Sequence, residues 1–138
     1  MPYDKKIKNQ LEKLKPEIQK WLKQNLTKKR YEHTSRVVKT AKKYAKKLRL
    51  DPSKCELSAW LHDISKETPG YMLLKIAKKK KIKLDEIDYL NPHVLHARVG
   101  AELVKEKFKV RNPDVLAGIR CHTLAEPNMS KIAMVVYL

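Results

Sequence analysis

Apolar residues recur at helical spacing along almost the whole chain. Ile7, Leu11, Leu14, Ile18, Trp21 and Leu22 mark one face of a first helix, with Pro16 expected to kink or restart it. Thr27 is placed to cap a second helix, whose apolar face is Val37, Ala41, Tyr44 or Ala45, and Leu48. Asp51-Pro52 reads as a cap followed by a first-turn proline. It opens a helix holding the nearly unbroken apolar run CELSAWLH, with Asp63 directly after it. Pro69-Gly70 breaks the chain ahead of a helix carrying Met72, Leu73, Ile76 and Ala77. Asp85 starts a short turn or helix through Leu90. Asn91-Pro92 opens a helix to about Lys107 and Asn112-Pro113-Asp114 another to about His122, while Ser130 is placed to cap a last one. No stretch alternates as a strand would. The pattern predicts an all-α bundle of about seven or eight helices.

Composition bounds the chemistry. At 138 residues the chain is long enough for one domain with a hydrophobic core of its own, and it shows no repeat, low-complexity linker or composition break. Its three glycines, Gly70, Gly100 and Gly118, lie far apart, which excludes a glycine-rich phosphate loop. If phosphates are bound, cations must hold them. Cys55 and Cys121 both fall in apolar helical patterns and read as reduced core thiols. The start, MPYDKKIKNQ, lacks the apolar run of a secretory signal, and IAMVVYL is too short to span a bilayer. The expectation is a cytoplasmic protein with no membrane partner. A formal net charge of +17, from 32 basic and 15 acidic residues, will draw polyanions whatever the protein does. Nucleotides with several phosphates fit that charge. Nucleic acid is admitted by it but not favoured, because aromatics are sparse and no nucleic-acid-binding motif is present.

The histidines change the picture. His33 is in line with Val37 and Ala41, His62 with Cys55 and Ala59, His96 with Val99, Gly100 and Leu103, and His122 with Val115, Gly118 and Ile119. Four helices thus each aim one imidazole at the core, and one adds Asp63. A single histidine on an apolar face is ordinarily a satisfied core residue. Four with an adjacent carboxylate resemble the ligand set of a first-row transition metal built between facing helices. Buried His62 and Asp63 then have a partner that offsets the cost of burial. Adjacent helical residues diverge by about 100°, so both could reach a metal only near the helix surface. With two oxygens, Asp63 could bridge two metals. Lys66, one turn on, places a cation beside the site for a substrate phosphate. His93 reads as a surface residue.

The motifs RYEHT at Arg30 to Thr34, LHDISK at Leu61 to Lys66, NPHVLHARVGA at Asn91 to Ala101, and IRCHT with PNMS between Ile119 and Ser130 resemble the HD-domain metal-dependent phosphohydrolases. Within them they are similar to the bacterial YqeK-type subfamily, the symmetrical bis(5'-nucleosyl)-tetraphosphatases. The similarity runs from about Thr27 to Leu138. It implies an HD domain over residues 27–138, with residues 1–26 a helical segment packed upon it. It also implies hydrolysis of diadenosine tetraphosphate to two ADP by a hydroxide bridging two metal ions. Iron is the metal favoured, with manganese or another transition metal as alternatives. Carried over by position, the metal ligands are His33, His62, Asp63, His96 and His122. Asp63 and Lys66 are the catalytic pair, and Lys66, Arg120 and Thr123 face the phosphates. The implied partner is a dinucleoside polyphosphate or a product such as ADP or GDP, and a homodimer is left open.

Two departures from the family pattern stand out. The family usually continues from a segment like MVVYL into an Ala-Asp pair whose aspartate completes the metal set, and here that position falls just past Leu138. After the last histidine the family commonly has Thr-Thr-Gly and a basic residue, where this chain has Leu124, Ala125 and Glu126. An acidic side chain there disfavours a nearby phosphate. Rival readings are an HD-type nucleotidase or phosphodiesterase acting on another nucleotide, a basic nucleic-acid-binding helical domain with a structural metal, and an inert helical domain with satisfied core histidines.

Overall fold

The computed structural model describes residues 4–121. Its helices are α1 (Lys5–Asn25), α2 (Lys28–Lys47), α3 (Pro52–Leu61), α4 (Gly70–Lys79), α5 (Glu86–Leu90), α6 (His96–Phe108) and α7 (Pro113–Arg120). A 3-10 turn, Pro92–Leu95, leads into α6. No strand occurs among the described residues, so the chain is all-α as its periodicity predicts. The expected last helix, with Ser130 as its cap, lies outside the described residues.

Polar caps set several of the starts. The Thr27 hydroxyl accepts from the Arg30 amide at the head of α2. Asp51 accepts from the Ser53 and Lys54 amides ahead of Pro52, and Asn112 from the Asp114 and Val115 amides ahead of α7. Asp4 caps α1 through the Lys6 and Ile7 amides, while its own N–H donates to Asp51 Oδ2 at 2.9 Å. That bond ties the start of α1 to the start of α3.

The core is built around α3. Every residue from Cys55 to Leu61 is buried, so this helix is enclosed on all sides, with α1, α2 and α7 packed against it. Its polar side chains are satisfied internally. The Ser58 hydroxyl donates to the Val115 carbonyl at 3.1 Å. Glu56 accepts from Trp60 Nε1 at 3.1 Å and pairs with Lys15 at 3.1 Å. Burial pushes the Glu56 carboxyl up, but those bonds and the Lys42 charge outweigh it and hold it below its ordinary value. Cys55 and Cys121 are free and buried, and burial pushes the Cys55 thiol up to about 12. A smaller cluster, Leu73, Ala77, Leu95 and Val99, joins α4 to the 3-10 turn and α6.

Several expectations are corrected. α1 continues through Pro16 without a restart. The proline is exposed, as is Glu12, so water can satisfy the Glu12 carbonyl that the proline leaves without a donor. Leu48 is 52% exposed, and α2 instead buries Thr34, Val38, Ala41 and Ala45. α7 is described to Arg120, within two residues of the end expected near His122, which itself lies outside the described residues. α3 stops at Leu61, so Asp63 is not on a helix. In a continuing helix the Ala59 carbonyl would accept from the Asp63 amide. Here it accepts from the His62 amide at 3.5 Å and from the His62 ring at 2.6 Å. The chain therefore passes into tighter turns, with Ile64 N–H bonding Leu61 O at 3.2 Å and Lys66 N–H bonding Asp63 O at 2.9 Å. Asp63 is carried on this turn rather than on the helix.

Candidate metal centre

Three helices converge on the Asp63 carboxylate. His33 and Arg30 come from α2, His62 from the end of α3, and His96 from the first residue of α6. His62, Asp63 and His96 are almost wholly buried, whereas the His33 side chain is 37% exposed, so the cluster opens to solvent on the α2 side. Gly100 permits this approach. A β-carbon there would stand 3.1 Å from Ile64 Cγ2 and 3.5 Å from Ser65 Oγ, so a side chain would press α6 away from the turn bearing Asp63.

The two carboxylate oxygens face different imidazoles. His62 Nε2 is 3.5 Å and His33 Nε2 3.9 Å from Asp63 Oδ2, while His96 Nε2 is 3.7 Å from Oδ1. All three separations exceed the usual hydrogen-bond range. His33, His62 and Asp63 each offer a ligand atom within 4.8 Å of the others. Donors bound to one metal at about 2.0–2.2 Å stand roughly 3–4 Å apart, so the spacing suits a shared cation.

The imidazoles are also oriented for ligation. His62 Nδ1 lies 2.6 Å from the Ala59 carbonyl, and His96 Nδ1 lies 2.8 Å from the His93 carbonyl. A carbonyl only accepts, so each Nδ1 carries a proton and each ring turns its Nε2 toward Asp63. In its neutral form each ring presents an Nε2 lone pair that a metal ion shared with the carboxylate can take. Backbone carbonyls that fix the distal ring nitrogen are the ordinary support of metal-bound histidine. His93 is exposed and contributes its backbone rather than its ring. Burial lowers the pKa of His33, with Arg30, Arg36 and Lys66 acting in the same direction and Asp63 opposing them. That favours the neutral ring that metals bind.

Arg30 was not among the residues singled out from the sequence. Its Nη2 donates to Asp63 Oδ2 at 2.6 Å, and its Nε is buried with no hydrogen-bond partner. The available signal was its position three residues before His33 on the same helix face. Lys66 follows on the same turn, near enough for its charge to depress His33. Arg120 stands at the end of α7 and lines a different cavity, none of whose lining residues belongs to the Asp63 cluster. His122 and Thr123 lie outside the described residues. The donor set of imidazoles and a carboxylate therefore fits a transition metal.

A profile of the HD domain matches residues 30–138. The chain belongs to the HD domain family. This HD domain is 37% identical over 117 residues to a protein of Bacillus subtilis (strain 168) named bis(5'-nucleosyl)-tetraphosphatase, symmetrical, covering 85% of the chain and 62% of that protein. It is 36% identical, with the same coverage, to a Halalkalibacterium halodurans protein of the same name. Among solved structures it is similar to an HD superfamily hydrolase from Clostridium acetobutylicum, described as involved in NAD metabolism. The TM-score is 0.86 at 32% identity, over 88% of this chain and 65% of the other. The chain thus spans less than two thirds of the length of these relatives. No described helix is long and apolar enough to cross a membrane.

Proposed function

We propose that this HD domain is a metal-dependent hydrolase that cleaves diadenosine tetraphosphate symmetrically into two ADP. The observation that carries the reading is the carboxylate of Asp63 held among three imidazoles, two of them with Nε2 aimed at it by backbone carbonyls. Membership of the HD family and the names of the two bacterial relatives support the substrate.

His33, His62, Asp63 and His96 would hold the metal. His122 completes the set by resemblance, and iron is the metal we favour. Bound metal supplies Lewis-acid neutralisation of phosphoryl charge and makes water acidic enough to react near neutral pH. The protein's own residues hold the substrate. Lys66 has its amide tied to the Asp63 carbonyl at 2.9 Å, which fixes its Cα beside the centre. Its ammonium takes a phosphate oxygen and stabilises the negative charge that develops there. The half-exposed His33 side marks where the phosphate chain enters. Thr123 is a further phosphate contact in this reading, whereas Arg120, which lines a different cavity, is not assigned to it.

The test is to incubate iron-loaded protein with diadenosine tetraphosphate and separate the products by chromatography. ADP alone is expected. ATP with AMP would refute symmetrical cleavage. The description of the Clostridium hydrolase favours a second reading, in which another dinucleotide joined through phosphates is the substrate. Release of mononucleotides from NAD in the same assay, with diadenosine tetraphosphate left intact, would establish it.

A further inference from the structure

A second concave site lies on the other side of α6. At about 100° per residue, Arg98, Ala101, Glu102 and Lys105 point away from the face that carries His96 and Gly100. They form one wall of a cavity of about 640 Å³. Lys80 and Lys81 enter it from the end of α4, and Arg111 and Arg120 from either end of the α7 segment. Ile82, Pro113 and Leu116 give it an apolar floor with Ala101.

The cations exceed their counter-charges. Lys80 pairs with Glu106, Arg98 with Asp88, and Lys105 with Glu102 at 3.3 Å. Lys81 and Arg111 have no ion pair among the described residues. On a solvated helix face lysines fan apart. Here cations from separate chain segments converge on one hollow, where low-dielectric walls focus their field and their repulsion is greatest. An anion is the partner that relieves it. A polymer would call for a stripe of cations along the surface. A hollow of this size with an apolar floor is instead the shape of a small-molecule site.

We propose that this cavity binds a chain of phosphates, as found in a nucleoside polyphosphate or a free oligophosphate, at a site separate from the Asp63 centre. Lys81 and Arg111 are its principal contacts, and the apolar floor takes the nucleoside when there is one. The site does not depend on the hydrolytic reading and survives its failure.

The test uses the full chain carrying Asp63→Ala, which removes phosphate binding at the metal centre, with and without Lys81→Glu and Arg111→Glu. Inorganic tripolyphosphate and ADP are titrated calorimetrically at low and moderate salt. Both probes should bind the Asp63→Ala protein, more weakly as salt rises. The added charge reversals should weaken binding by about tenfold or more. Both positions are exposed, so an unchanged thermal melt confirms that the fold is kept. ADP binding tighter than tripolyphosphate identifies a nucleoside ligand, and the reverse order a free oligophosphate. Equal binding with and without the reversals, or binding only of long RNA, would overturn the proposal. In the otherwise unsubstituted protein the same reversals should leave diadenosine tetraphosphate turnover unchanged.

Discussion

Replacing Arg30 with alanine separates a metal centre from an inert polar core. The guanidinium donates to Asp63 Oδ2 at 2.6 Å, and the two side chains are 30% and 2% exposed. Removing one partner of a fully buried ion pair costs about 3–5 kcal/mol, whereas an exposed pair contributes about 0–1 kcal/mol. A pair with one wet member lies between, so Arg30→Ala should cost about 2 kcal/mol without metal. A bound cation compensates Asp63 by itself and no longer needs the arginine. With metal the loss should fall to about 0.5 kcal/mol or less, since the lost arginine charge also repelled the metal. By linkage the difference appears as metal affinity, so Arg30→Ala should bind metal about tenfold more tightly than the unsubstituted protein. Urea unfolding in chelator and in saturating manganese gives the first pair of numbers, and metal titration gives the second. Arg30→Lys keeps the charge and should fall between the two. Equal destabilisation with and without metal, or weaker metal binding by Arg30→Ala, would refute the reasoning.

Other consequences are independent. Lys66→Ala should slow turnover while metal content stays unchanged by elemental analysis; loss of metal would make Lys66 a structural support of the centre. Glu56→Gln should cost about 1 kcal/mol at neutral pH by removing charge-assisted bonds to Lys15 and Trp60. The Glu56 carboxyl is held below 4.5, so its stabilisation is complete above that pH and is lost as pH falls toward the lowered value. Urea midpoints taken on both sides of pH 4.5 should therefore converge between Glu56→Gln and the unsubstituted protein on the acid side.

Much of the architecture was legible because its signals are local. Thr27, Asp51-Pro52 and Asn112-Pro113 announce helix starts through side chains that reach amides two or three residues away. His33, His62 and His96 betray themselves by falling on apolar faces, and the structure brings all three to Asp63. Features that depend on one atom's hydrogen bond were not legible. The end of α3 at Leu61 follows from the Ala59 carbonyl being taken by His62, and residue type gives no sign of that. Arg30 sits in a lysine-rich stretch and reads as solvated until Asp63 is placed opposite it. The cationic hollow joins residues from Lys80 to Arg120, a juxtaposition that exists only after folding.

The most direct test is to load the protein with iron or manganese, remove excess metal, and measure metal content and X-ray absorption for the unsubstituted chain and Asp63→Ala. A centre built on Asp63 predicts retained metal with nitrogen and oxygen neighbours and imidazole scattering. It also predicts that Asp63→Ala loses most of the metal while keeping its helical circular dichroism. An unsubstituted protein that emerges without metal, or an Asp63→Ala protein that holds as much of it in the same coordination, would contradict the centre.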